Sequence, residues 1–417
     1  MLAAIVGMGV SVGVGVGVWA WVWAWACSPC RASVGRMAFW DNLIDPVAAQ
    51  LRDQCRRFAE REIKPHAEAW EEAGIFPREL YQKAAAAGVL GVYFPESVGG
   101  LGGTATHIVM VIEGMMRGGS TGVSVGLGSL GIGLPPIVQW KDAAQINRFV
   151  RPCLTGESIA CLAVTEPNTG SDVAGVSTRA RRDGDDYIVD GAKMFITSGT
   201  RADVITTLVR TGDDPHGGLS FLVITKDMPG VRVSRALKKT GWCASDTAEL
   251  AFDGVRVPVA NRIGPEGSGF VTLMRNFVNE RLALAAYGAA TAEIALEEAL
   301  AWTRQRKAFG RPIAGFQVSR HKLADMAMKV HAAKGMVYQV AYRMERGDNC
   351  LQEVAVAKNF CAEVAMEVTY EAVQLFGGMG YMRETLVERL SRDARLLPIG
   401  GGTQEIMKEI ICKAMGL

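Results

Sequence analysis

The sequence predicts an α+β multidomain protein: an N-terminal helical domain, a middle antiparallel β domain and a C-terminal four-helix bundle. Two changes of hydrophobic period predict this order. Around Cys161 a helical spacing of apolar residues gives way to alternation, and from Gly264 helical spacing returns in long stretches. Size is the third observation. A chain of 417 residues, 49% hydrophobic and 21% charged, can bury a sizeable core and would ordinarily divide into several domains. The parts are expected at 37–156, 157–263 and 264–417, after an apolar tail at 1–36.

The tail, "MLAAIVGMGVSVGVGVGVWAWVWAWACSPC", has no charge before Arg31, and its apolar run of about 26 residues is long enough to cross a bilayer. It lacks the basic start of a secretory signal, alternates Gly-Val and Trp-Ala at low complexity, and is followed by a second methionine at Met37. A membrane anchor, an unusual targeting peptide and an upstream extension from a wrongly chosen start all fit. Membrane association is expected only if the tail is real. Cys27 and Cys30 form a CxxC pair with no second pair and no histidine nearby, so neither zinc nor redox chemistry is expected there.

From Met37 the text becomes helical. In "DPVAAQLRDQCRRFAEREIKPHAEAW", Asp45 is an N-cap, Pro46 takes the first helical position, and Val47, Leu51, Cys55, Phe58 and Ile63 share one face. Gly74, Gly88 and "PESVGGLGG" punctuate the helices of this part. Gly126, Gly128 and Gly131 match GxGxxG. They follow a helical stretch and lead into Pro135 and Pro136, so they are expected to serve close helix packing or a loop, not dinucleotide binding.

"DDYIVDGAKMFITSG", "ADVITTLVRTG", "GGLSFLVIT" and "TAELAFDGVRVP" are short, rich in β-branched and aromatic residues, and separated by Asp-Gly or Gly-Gly turns, which predicts antiparallel strands. The helical stretches that follow are "FVNERLALAAYGAATAEIALEEALAWTRQR", "VSRHKLADMAMKVHAAKGMVYQVAYRMERG", "VAVAKNFCAEVAMEVTYEAVQLFGG" and a closing segment. Long helices with short Gly or Pro breaks predict an antiparallel bundle.

Charge and cysteine content narrow the functional classes. With 45 basic and 43 acidic residues there is no field to recruit nucleic acid. Nine cysteines, an odd and scattered set, point to a reducing compartment: the cytoplasm, or the mitochondrial matrix of a eukaryotic source. His66, His107, His216, His321 and His331 show no metal-binding spacing, and there is no phosphate-binding GxxxxGK[ST] loop.

"LAVTEPNTGSDVAG", "DGAKMFITSG", "DTAELAFDGVRVP", "RQRKAFGRPIAGFQ", "QLFGGMGY" and "IGGGTQEI" occur in the order and approximate spacing of the acyl-CoA dehydrogenase family, and the resemblance covers nearly everything after Met37. It implies an FAD enzyme that oxidises acyl-CoA to trans-2-enoyl-CoA, passes electrons to an electron-transfer flavoprotein and assembles as a homo-oligomer, a tetramer in many relatives. By resemblance, Leu162, Val164, Thr165, Gly170 and Ser171 line the flavin, and Ser171 also faces the CoA arm. Phe195, Ile196 and Thr197 continue that surface; Phe195 stands where relatives usually carry tryptophan, keeping an apolar face without the indole N–H. Arg306, Phe309 and Gln317, with Gln374, Leu375, Phe376, Gly377 and Gly378, match positions that reach the ADP part of a flavin bound partly by a neighbouring subunit. Thr403, Gln404 and Glu405 match flavin-contacting positions.

The departure from the family is at the base. Many relatives carry a glutamate where this chain has Gly401; long-chain and isovaleryl types carry it on a bundle helix, and "FVNERLALAA" places Glu280 there, directly before Arg281. Glu280 is therefore the expected catalytic base, with Val278, Asn279, Arg281, Gly401 and Gly402 expected against the substrate. The Gly401 N–H is expected to polarise the thioester carbonyl. Several motifs lean toward the long-chain type. The alternatives are an oxygen-using flavoenzyme of the same fold and a noncatalytic acyl-CoA-binding or assembly protein.

Overall fold

The computed structural model describes Trp40 and residues 44–417. The expectations for the tail and its CxxC pair lie outside the described residues.

Helix α1 (Pro46–Glu62) begins as its sequence dictates: Asp45 accepts hydrogen bonds from the backbone N–H groups of Val47 and Ala48, and Pro46 fills the first turn. Cys55, Phe58 and Ile63 are buried. Val47 corrects the expected face. It is exposed and Ala48 makes the buried contact, because at 100° per residue Val47 lies about 80° around the axis from Cys55. Helix α2 (Ala105–Met115) crosses α1 closely, a Cβ on Gly114 falling 2.5 Å from Cys55 Cβ. The GxGxxG stretch lies in helix α3 (Thr121–Gly128) and the short helix Leu130–Gly133. Its glycines allow packing: a Cβ on Gly126 would meet the Phe76 ring at 2.4 Å, and one on Gly131 the Tyr93 hydroxyl at 2.3 Å.

The middle of the chain forms one eight-stranded sheet from β1 (Ala160–Ala163), β2 (Arg179–Asp183), β3 (Asp186–Thr197), β4 (Val204–Arg210), β5 (Leu219–Thr225), β6 (Val231–Ala236), β7 (Thr247–Pro258) and β8 (Arg262–Ile263). Most neighbours are antiparallel, as the Gly-rich turns predict, but β1 pairs parallel with β4. The chain forms the β2–β3 hairpin between them and returns in the direction in which it left. Strand β6 alternates only over residues 231–234 and buries no residue fully, because it is a largely exposed edge paired only with β7. The long β3–β7 pairing shifts register between Lys193 and Ile196, and Phe195 there has φ +61°.

Three long helices follow, α4 (Gly269–Gln305), α5 (Gln317–Glu345) and α6 (Leu351–Phe376). The fourth position is divided between α7 (Leu386–Ala394) and α8 (Gln404–Ala414), because Pro398 and the left-handed Gly401 and Gly402 interrupt the helix. The alanine-rich face of α4 lets α6 come close, a Cβ on Gly288 falling 2.7 Å from the Cys361 carbonyl oxygen. A buried ion cluster ties α2 to the bundle: Lys334 Nζ lies 2.6 Å from Glu293 and 3.4 Å from Glu113, and Tyr338 donates to Glu113. These contacts fix α4 and α6 under the loop that joins α7 to α8.

Candidate active site

Glu280 lies three turns into α4 on a partly buried strip with Val278 and Asn279. Its Oε2 is shielded from water and has no hydrogen-bond partner. Burial raises its carboxyl from 4.5 to about 7, against the opposing charges of Arg281 and Lys358. Such a group is poised to exchange a proton near neutrality.

The loop between α7 and α8 closes over this carboxylate. Gly401 has φ +65°, and a Cβ built on it lies 3.6 Å from Glu280 Oε1 and 2.3 Å from Leu284 Cδ1. The carboxylate of Glu280 thus occupies the neighbourhood that a side chain at position 401 would enter, and Leu284, one turn on, fills the rest. Arg281 Nε donates to the Gly401 carbonyl at 3.2 Å and stacks on Phe277. Lys358 Nζ donates to the Gly402 carbonyl at 2.6 Å, and Asn359 Nδ2 to that of Gln404 at 3.0 Å. Thr403 caps α8, Gln404 donates to Glu363, and Glu405 lies in the first turn of α8.

A second surface comes from the sheet. Leu162 lies on β1, and the loop after it carries Val164, Thr165, Gly170 and Ser171 and is joined to β3 by the Met194 N–H to Thr165 carbonyl bond at 2.7 Å. Glu166 anchors the loop, accepting from Lys193 Nζ at 2.8 Å, from the Ser177 hydroxyl and N–H, and from the Thr178 N–H. Burial opposes its ionisation, but the Lys193 charge and these bonds outweigh burial and hold the carboxyl near 2. The rigid loop stands beside Phe195, which is 64% exposed, and Ile196, which is buried; Thr197 ends the strand. An exposed ring on a left-handed backbone beside small residues offers a flat apolar face with hydroxyl groups along it, and this suits an isoalloxazine.

The remaining expected positions gather elsewhere. Arg306 ends α4, and Phe309, 95% exposed, lies at the turn of the hairpin β9 (Lys307–Ala308) and β10 (Arg311–Pro312). Gln317 starts α5. Trp302 stacks on Phe376 with centroids 4.6 Å apart, bringing the end of α4 to the end of α6, whose last turn holds Gln374 and Leu375 and which Gly377 and Gly378 follow. A Cβ on Gly377 or Gly378 would meet nothing within 4 Å, so this backbone is open to approach. Among the described residues no hydrogen bond joins this cluster to the Leu162–Thr197 surface.

Sequence reasoning missed Lys358, Asn359, Leu284 and the Glu166–Lys193 pair. Lys358 had a signal: it is a lone charge in the apolar run "VAVAKNFCA". Lys193 likewise takes an inward position in an alternating strand.

Three family models match the chain in order: the acyl-CoA dehydrogenase N-terminal domain over residues 46–157, the middle domain over 161–255 and the C-terminal domain over 267–416. The mitochondrial long-chain specific acyl-CoA dehydrogenase of Sus scrofa is 37% identical over 87% of this chain and 85% of its own length. The chain belongs to the acyl-CoA dehydrogenase family. Among solved structures, a probable acyl-CoA dehydrogenase from Mycobacterium abscessus is 51% identical with a TM-score of 0.88, covering 89% of this chain and 99% of that one. A glutaryl-CoA dehydrogenase from Mycobacterium smegmatis, solved in complex with FADH2, is 27% identical with a TM-score of 0.85, covering 90% and 96%. This acyl-CoA dehydrogenase is an oxidoreductase, its cofactor is FAD, and the surface at Thr165 and Phe195 fits that cofactor.

Proposed function

We propose that the protein oxidises an acyl-CoA thioester to trans-2-enoyl-CoA, with Glu280 as the base. The observation that carries this reading is the carboxylate of Glu280 lying 3.6 Å from the Cβ position of Gly401, unpartnered at Oε2 and raised to about 7. Glu280 removes the α-proton. Held against Thr165 and Phe195, FAD would supply at N5 the acceptor for the hydride that leaves the β-carbon. The N–H of Gly401 donates to the thioester carbonyl and stabilises the charge that develops there. Val278, Asn279, Arg281, Gly402 and Ser171 border the thioester and the CoA arm.

Leu162, Val164, Thr165, Gly170, Ser171, Phe195, Ile196, Thr197, Thr403, Gln404 and Glu405 surround the flavin. Arg306, Phe309, Gln317 and Gln374 to Gly378 hold the ADP part of a cofactor in a second subunit. The almost fully exposed Phe309 supports this, since a ring so placed is covered once a partner docks. The assembly is a homotetramer, and electrons leave to an electron-transfer flavoprotein past the exposed Phe195.

Anaerobic mixing with acyl-CoA thioesters, short to long and straight or branched, tests the reading: bleaching of the flavin is the expected result. Peroxide formed at the rate of turnover in air would instead mark an oxidase. Acyl-CoA binding without bleaching would mark a noncatalytic binder.

A further inference from the structure

Lys358 is the buried cation that the reaction as proposed leaves without a task. It lies 1% exposed in α6, and its ammonium reaches across to the Gly402 carbonyl at 2.6 Å. Its neighbour Asn359 holds the Gln404 carbonyl, and Arg281 from α4 holds that of Gly401. Three donors from two helices thus fix three carbonyls within residues 401–404, where the loop runs into α8. Two of these residues, Gly401 and Gly402, have left-handed backbones with no side chain to steady them.

We propose that Lys358 is a positioning residue for proton abstraction: its ammonium ties the Gly402 carbonyl while facing the Glu280 carboxylate, holding loop and base in one arrangement. The charged groups facing Lys358 are Arg281 and Glu280 from α4 and Glu405 from α8; those facing Glu280 are Arg281 and Lys358. Burial, then the Arg281 charge, lowers Lys358 to about 8, with Glu280 and Glu405 opposing. Below about 7 Glu280 carries a proton and cannot accept another, and above about 8 Lys358 loses the charge that favours the ionised base. Activity therefore has an acid limb set by Glu280, and the Lys358 charge holds that limb down.

This inference rests on Glu280 being the base, and its test separates the two. In the holoenzyme, Lys358→Met moves the acid limb of kcat upward by about one pH unit, an approximately tenfold loss at pH 6 that is largely recovered in alkali. Lys358→Arg keeps the charge at every pH, so it leaves the acid limb where Lys358 has it. The infrared carboxyl band of Glu280, identified by its loss in Glu280→Gln, titrates at higher pH in Lys358→Met. An unmoved acid limb and an unmoved band in Lys358→Met, with Glu280→Gln inactive, would overturn the role of Lys358 alone. A fully active Glu280→Gln would remove the base and this inference with it. Should the methionine variant fail to fold, an arginine variant whose acid limb moves up by about one pH unit although the charge is kept overturns the proposal.

Discussion

Replacing Glu280 by glutamine should stabilise the protein in a pH-dependent way. The carboxyl lies at 4.5 when unfolded and about 7 when folded, so between those values the native state binds more protons. Stability of the natural protein therefore falls as pH rises through that window. The gap, at about 1.4 kcal/mol per pH unit, amounts to about 3 kcal/mol above pH 7. Since Glu280 is only half-buried as a residue, water screens part of this, and about 1–3 kcal/mol is expected. Glutamine keeps the shape and cannot ionise. Urea midpoints of the two proteins, both flavin-loaded, should coincide near pH 4 and separate above pH 7 with the variant higher. A difference that stays constant with pH would refute the claim that burial holds this carboxyl near neutrality.

Moving the base to the loop should work better with space made for it: Glu280→Gly with Gly401→Glu restores part of the lost activity, and Leu284→Ala, which removes the 2.3 Å contact with Leu284 Cδ1, raises the recovery further, as a turnover assay would show. A non-glycine residue at φ +65° adds about 1 kcal/mol of strain, so full recovery is not expected. Lys193→Met leaves Glu166 buried without its cation; a stability loss of about 3–5 kcal/mol and a lower flavin-to-protein ratio are expected from melting and absorbance. Arg306→Ala should weaken FAD retention and subunit association together, measured by dialysis and sedimentation. A full oligomer with unaltered FAD affinity would contradict the shared site.

The sequence made the fold legible where local signals agree with tertiary packing. Asp45 and Pro46 start a helix for reasons contained within four residues, and the fully buried β4 and β5 read as apolar runs between glycines. Strand β6 was hidden because an exposed edge needs only the short alternation of residues 231–234, and the parallel β1–β4 pairing because direction depends on the path of a distant hairpin. At the candidate site, Glu280 and Gly401 could be linked in sequence only by the family resemblance; 120 positions separate the bond between Arg281 and Gly401. Lys358 and Leu284 stayed hidden for a physical reason. Their importance lies in what reaches them from the loop, and neither helix period nor composition records that approach.

The most direct test of the central claim is the rate of flavin reduction by acyl-CoA in Glu280→Gln, followed by anaerobic rapid mixing. The variant should retain yellow flavin and bind acyl-CoA, yet be reduced more slowly by over ~10²–10⁴-fold, the range of general base catalysis. Reduction at the rate of the natural protein would contradict Glu280 as the base.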